Sequence, residues 1–241
     1  MRIIFEDQDL LVLDKPSGVT VNRSDTTLNE TTVQDYAETI FKLNGEDRES
    51  EFYKRSGIVH RLDKDTSGVL LIAKNQGAFE NLQRQFKDRS VQKIYLALVH
   101  GIPKPSFGEI STPLGRLPWN RKRFGVLAGG REASTKYEVM AIKYYVSKGR
   151  KEPLSLLRVM PRTGRTHQIR VHLKSLGHPI FADELYAGRK VSRDDRRKLS
   201  RIFLHAAKIS IRHPKTNQEV SFESDLPEDL KHFLDRTLES A

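Results

Sequence analysis

The spacing of apolar residues constrains this chain most. Leu10-Leu11-Val12-Leu13 and Val69-Leu70-Leu71-Ile72-Ala73 are unbroken apolar blocks of strand length, each bounded by polar residues. Residues 2–6 and 10–14 read as a hairpin around Asp7-Gln8-Asp9, and 92–100, 132–145, 154–160 and 202–212 also read as strands. Helical spacing is confined to 31–43, with Thr31 or Thr32 as cap, to 76–88 with Phe79, Leu82 and Phe86 inward, to 164–177, and to 225–238. In the last of these, Asp225-Leu226-Pro227-Glu228 reads as a capping box. Strands outnumber helices and do not alternate with them, which excludes a doubly wound parallel sheet. The expectation is an α+β fold, a mixed and mainly antiparallel sheet with helices packed on it, in a single domain over 1–241.

Composition narrows the chemistry. The 241 residues include no cysteine, so disulfides, thiolate metal sites and a cysteine nucleophile are excluded. No apolar run is long enough to span a membrane, and the N-terminus turns acidic too early for a signal peptide; a cytoplasmic protein is expected. Lys plus Arg number 42 against 31 for Asp plus Glu, a net charge of +11. Such a surplus points to a polyanionic partner, because basic groups release counterions from phosphates when they bind. Residues 115–131 concentrate it: Arg116, Arg121, Lys122, Arg123 and Arg131 occur with no acid, around Trp119. This segment reads as a long loop or a mobile hairpin. A second basic stretch lies at 189–201.

Two segments could carry reaction chemistry. His60-Arg61-Leu62-Asp63-Lys64-Asp65-Thr66-Ser67-Gly68 is a polar loop between two apolar stretches, a usual place for function. Asp63 and Asp65 are its candidate nucleophiles, since an aspartate is ordinarily an anion at neutral pH. The second is Thr163-Gly164-Arg165-Thr166-His167-Gln168-Ile169-Arg170-Val171-His172-Leu173-Lys174. Read as a helix, it turns Ile169, Leu173 and Leu176 to one side and His167, Arg170 and Lys174 to another. His167 and His172 lie on different faces, so no zinc site is expected, and no phosphate-binding or dinucleotide glycine motif occurs.

These segments carry a resemblance. His60-Arg61-Leu62-Asp63-Lys64-Asp65-Thr66-Ser67-Gly68 resembles the HRLDxxTSG signature of the RluA class of RNA pseudouridine synthases. Glu6-Asp7 with Leu11-Val12-Leu13-Asp14-Lys15-Pro16-Ser17-Gly18 is similar to the opening of that class. Lys93-Ile94-Tyr95-Leu96-Ala97-Leu98-Val99-His100-Gly101 is similar to its K-x-Y-x-A-x-V-x-G strand, and 163–172 to its TGRTHQIRVH segment. Leu204-His205-Ala206 and His213-Pro214 resemble its late pattern. The motifs follow in family order along nearly the whole chain.

The resemblance implies isomerisation of uridine to pseudouridine in structured RNA, ribosomal large-subunit RNA or tRNA stem-loops, without cofactor or metal. It implies the bent-sheet catalytic fold of that class; with the first strand read from residue 2, the accessory N-terminal RNA-binding domain of many relatives is not expected, and a monomer is the default expectation. Asp63 then matches the catalytic aspartate, Tyr95 the tyrosine against the target base, and Arg170 the arginine that pairs with that aspartate. Arg61 matches the residue that fills the gap left by a flipped base, and Leu204 a wall of the base pocket. Arg165, His167, Lys174, Trp119, Arg121, Lys122 and Arg123 are the expected RNA contacts. The segment departs from the family at Phe181-Ala182-Asp183, where relatives carry glycine in place of Ala182, and at Tyr186-Ala187-Gly188. Two other functions remain open at this stage: a catalytically inactive RNA-binding protein on the same fold, and a base-excising glycosidase that would release free uracil.

Overall fold

The computed structural model describes residues 1–24, 27, 30–41, 48–147, 150–237 and 239–240. The chain divides into two compact units: Met1–Gln92 with Ala206–Asp225, and Lys93–His205 with Leu226–Ala241.

In the first unit, β1 (Arg2–Glu6) and β2 (Leu10–Lys15) form the opening antiparallel hairpin. Its turn is closed by Asp7, whose Oδ1 accepts the amides of Asp9 and Leu10 at 2.8 and 2.7 Å. Helix α1 (Val33–Ile40) begins at Thr32, which makes a capping box with Asp35. It is shorter than the span expected, and residues 42–43 at the end of that span fall outside the described residues. A one-turn helix, α2 (Glu51–Lys54), follows, capped by Ser50. Strand β3 (Ser67–Ala73) is buried along its whole length, as its unbroken apolar run requires, and pairs antiparallel with β2. Helix α3 (Gln76–Lys87), capped by Asn75, covers it with Phe79 and Leu82.

In the second unit, β4 (Gln92–His100) pairs antiparallel with a later strand. The basic, Pro- and Gly-rich stretch after it is more ordered than its composition suggested. It holds β5 (Phe107–Ser111) and then an antiparallel ribbon of β6 (Leu114–Leu117) and β7 (Asn120–Val126), turned by Pro118 and Trp119. Strands β8 (Ser134–Ser147) and β9 (Arg150–Pro161) form a long hairpin, so β9 begins before the expected residue 154. Each extra residue of β9 finds a partner on β8, which apolar patterning alone could not show.

Three expectations about helices are corrected here. Helix α4 (Gln168–Ser175) starts four residues later than residue 164, because His167 takes a left-handed conformation at φ 56°. Leu176 caps its C-terminal end and is exposed rather than turned inward. Helix α5 (Arg189–Arg196) occupies the second basic stretch, buries Ser192 and Asp195, and leaves its cations outside. After β10 (Leu204–Arg212) and β11 (Glu219–Glu223) the chain enters α6 (Glu228–His232). Pro227 is its N-cap and no side chain caps it, so the box read at 225–228 does not form. A π-helical turn, Phe233–Thr237, follows, and β12 (Glu239–Ser240) pairs with β8.

The strand order is β1-β2-β3-β10 in the first unit, with β11 beyond β10, and β4-β9-β8-β12 in the second, with β5 also on β8. Every strand pairing detailed above is antiparallel. Each unit has its own apolar core. In the first, Leu10, Val12, Val69, Leu71 and Phe79 pack with Ile209 and Phe222. In the second, Ala97, Val99, Leu157 and Val159 pack under Ile169 and Leu173 of α4.

Candidate active site

The first unit supplies the polar loop at 60–68. Its ends are fixed by groups that the loop itself supplies. His60 Nε2 accepts the Leu71 amide at 2.9 Å, and its ring stacks on Phe86 at 4.9 Å. Leu62 is buried beneath. Lys64 gives its carbonyl to the Gly18 amide at 2.8 Å and to the ammonium of Lys15 at 3.0 Å. Lys15 is wholly buried, and its Nζ also donates to the carbonyls of Pro16 and Val19. The Asp65 carbonyl accepts the Ser17 hydroxyl. The opening segment at 15–19 thus acts as a clamp on the loop, and the carbonyls of Lys64 and Asp65 are engaged with it.

This clamp separates the two aspartates. Asp63 is half-buried, whereas Asp65 is exposed. The loop closes on the Thr66 amide bonding the Asp63 carbonyl at 3.1 Å. It then passes into β3 through Gly68 at φ 118°, where an added Cβ would lie 2.2 Å from the carbonyl oxygen of Ala206. Only glycine fits so close a backbone approach. Arg61, expected to enter the RNA, is exposed.

The second unit supplies the remaining candidates. Tyr95 sits on β4 opposite Val159, half-buried, on the face that also carries Ala97 and Val99. Leu204 is buried in the same apolar cluster. Arg170, on α4, is buried rather than part of an exposed cationic face. Its Nε and Nη2 donate to the two oxygens of Asp183, each at 2.8 Å. Its guanidinium lies over the Tyr186 ring at 5.0 Å. Asp183 Oδ1 also accepts the amides of Leu185 and Tyr186. Spacing alone concealed both Asp183 and Tyr186, since they lie on a loop well beyond the helix.

Tyr186 links this cluster to the basic ribbon. Its hydroxyl accepts the Phe124 amide of β7 at 3.0 Å and lies 2.9 Å from His167 Nδ1. Phe124 packs with Leu114, Val171 and Leu185, while Arg116 sits over the Phe124 ring at 5.1 Å. The ribbon is therefore anchored at its base and projects at its tip. Trp119 is 77% exposed in the turn, Arg121 and Lys122 are exposed, and Arg123 is half-buried.

The segment before α4 is held by Gln168. Its Oε1 accepts from the Thr163 hydroxyl and the Arg165 amide, and its Nε2 donates to the carbonyl of Ser134 and the hydroxyl of Thr135. Arg165 Nε donates to the Glu132 carbonyl, and Lys174 is exposed near the end of α4. Burial holds His172 below the ordinary imidazole range, and its ring bridges Thr135 and Thr112. It is a tie between strand and helix rather than a site group.

The sequence profile described as RNA pseudouridylate synthase matches residues 9–175, which takes in the clamp, the loop, Tyr95 and Arg170. The chain belongs to the RNA pseudouridylate synthase family. This makes it an isomerase of the RluA class, as its motifs implied. An uncharacterised RNA pseudouridine synthase of Aquifex aeolicus is 41% identical over 238 residues, covering 96% of this chain and 71% of that protein. Ribosomal large subunit pseudouridine synthase D of Nitrosomonas europaea is 38% identical over 239 residues, covering 97% of this chain and 64% of that one. Among solved structures, human RNA Pseudouridylate Synthase Domain Containing 1 superposes with a TM-score of 0.73 at 29% identity, over 99% of this chain and 88% of that one. The α+β fold expected from the sequence is thus the pseudouridine synthase fold.

Proposed function

We propose that this chain converts specific uridines of structured RNA to pseudouridine, with Asp63 as its catalytic carboxylate and no cofactor. The observation that carries this reading is the clamped loop. Of its two aspartates only Asp63 is drawn partly out of water, on a backbone whose movement the Lys15 ammonium and the Gly18 amide restrict. Such fixing is what a group that must meet a reacting atom needs.

The reaction breaks the bond between N1 of uracil and the ribose and makes one from C5 to the same carbon. The C5 proton is lost and N1 gains one, so the RNA keeps its mass. A uridine inside folded RNA must first leave its stack. Arg61 is the exposed residue of the loop suited to occupy the vacated place, and Tyr95 and Leu204 are suited to the flipped base. Asp63 acts by attack on sugar or base, or by removing a ribose proton. The resemblance assigns to Arg170 the positive charge that balances such a carboxylate. The ribbon with Trp119, Arg121, Lys122 and Arg123 offers stacking and phosphate contacts together, and Arg165, His167 and Lys174 extend the contacts. The names of the relatives favour ribosomal large-subunit RNA over tRNA as the first substrate to try.

The test is release of tritium from C5-labelled uridine, with large-subunit ribosomal RNA fragments and tRNA supplied separately. Wild-type protein is expected to release it from one of them, and Asp63→Asn to release none while still binding that RNA. Full release by Asp63→Asn removes Asp63 from the reaction, and none from either RNA by wild-type protein removes the assignment to these RNA classes.

A further inference from the structure

Two features, one on the loop before α4 and one beside it, are not fully accounted for by the folded chain. The first is Gly164. Its φ is not in the left-handed region, and a Cβ built on it meets nothing within 4 Å. Every other described glycine either takes a positive φ or has atoms within 4 Å of such a Cβ. Neither backbone freedom nor packing accounts for the missing side chain at 164, which leaves close approach by something outside the chain.

The second is Lys93, at the start of β4. Its Nζ donates to the Thr163 carbonyl at 3.2 Å, and among the described residues no carboxylate pairs with it. That is one bond for a group with three donors. Burial alone pulls the ammonium down to about 8. A cation withdrawn from water without a counter-charge is costly, and an arriving anion removes the cost.

The two features adjoin, because the carbonyl that holds Lys93 belongs to the residue immediately before Gly164. The loop between them is already rigid. Gln168 fixes Thr163 and Arg165 on either side of the glycine, and Arg165 is tied by Nε to Glu132. Arg162 is exposed at its other end. A preorganised loop with bare backbone, one underused cation and further cations beside it suits a tetrahedral oxyanion.

We propose that Lys93 and the bare backbone at Gly164 cradle one phosphodiester of the bound RNA. The proposal rests on the reading of the chain as an RNA uridine isomerase. It goes further by naming which nucleotide is held. Lys93 and Tyr95 share a face of β4 two residues apart, roughly 6.6 Å along the strand. The phosphate at Lys93 is therefore that of the target nucleotide or its immediate neighbour, and the cradle fixes the register of the strand on Tyr95.

The experiment compares Gly164→Ala and Lys93→Gln with wild-type protein, and uses Lys87→Gln, at the exposed end of α3, as the control for bulk charge. A fluorescent RNA stem-loop is titrated at several salt concentrations, and tritium release is measured with the same RNA. Gly164→Ala is expected to melt no lower than wild type, because its space is open, yet to bind RNA about tenfold more weakly, on the order of 1.4 kcal/mol. Lys93→Gln keeps a donor for Thr163 and loses the charge. It should lower the slope of log affinity against log salt by roughly 0.7 to 0.9, the value for one phosphate, with the loss appearing in KM. Lys87→Gln should leave the slope as it is. Wild-type slope in Lys93→Gln together with wild-type affinity in Gly164→Ala overturns the cradle, even while the wild-type protein releases tritium. A wild-type protein that releases none overturns the isomerase reading instead, and the binding arm still decides the cradle.

Discussion

Arg170 and Asp183 meet through two parallel hydrogen bonds of 2.8 Å, with the guanidinium over the Tyr186 ring and both side chains almost wholly out of water. The pair lies thirteen positions apart in sequence. It joins α4 to the loop that also holds His167 and, through Tyr186, the base of the basic ribbon. Desolvation of two charges is offset here by fork geometry and by two further amides on Asp183.

Removing one partner should therefore cost more than an exposed ion pair is worth. Asp183→Ala takes a bidentate carboxylate from a buried cation and its acceptor from two amides, a loss of about 3 to 5 kcal/mol. Arg170→Lys keeps the charge but not the fork, and should also destabilise, by about 1 to 3 kcal/mol. Urea unfolding measures both. A loss below about 1 kcal/mol for Asp183→Ala would mean that the pair is not the tie described.

The entry to β3 is an unforgiving backbone position in the first unit. In Gly68→Ala the new Cβ meets the backbone of Ala206 at 2.2 to 2.7 Å, which no side-chain rotation relieves. At φ 118° the residue is strained as well. A loss above about 3 kcal/mol is expected, with the 60–68 loop displaced even if the protein still folds. Comparable urea midpoints for the variant and wild type would show that the approach is looser than the structure gives.

Much of this was legible beforehand, for identifiable reasons. Strands β2 and β3 stood out because a strand buried on both faces needs an unbroken apolar run, and the 60–68 loop because a dense polar stretch separates two such blocks. The start of α4 was not legible. His167 leaves the helix because Gln168 bonds Ser134 and Thr135, more than thirty residues away, and no local pattern encodes that. Arg170 read as an exposed cation because its partner lies on a loop of no regular period. Ala182 shows the opposite case. The sequence shows its departure from the glycine of relatives, and it takes a left-handed φ of 60° there, with its amide on buried Asp195.

Lys93 has a signature in RNA-free protein. Its folded ammonium titrates near 8 against 10.5 for an ordinary lysine. Between these values the unfolded chain binds more protons, so stability should rise with pH across that window. Below pH 8 the penalty is present in full, at most about 3 kcal/mol and less where solvent reaches the head group. Urea unfolding of wild type and Lys93→Met from pH 7 to 10 isolates the contribution, since all other groups cancel in the difference. Wild type should gain on the variant as pH rises. A difference independent of pH would mean that the ammonium is well hydrated.

The basic ribbon should act through charge at its tip and through packing at its base. Arg121, Lys122 and Arg123 lie towards the tip, whereas Phe124 holds the ribbon against Tyr186, Val171 and Leu185. Changing the three cations to Gln should leave the melting temperature close to wild type, because Arg121 and Lys122 are exposed, Arg123 is only half-buried, and such charges contribute little to folding. The slope of log RNA affinity against log salt should fall by roughly 2, up to one phosphate contact for each residue removed. Trp119→Ala should weaken binding by about 1 to 3 kcal/mol and leave that slope alone, because stacking on a base releases no counterions. If the triple variant keeps the wild-type slope, the ribbon does not touch phosphate, and its exposed tryptophan needs another explanation.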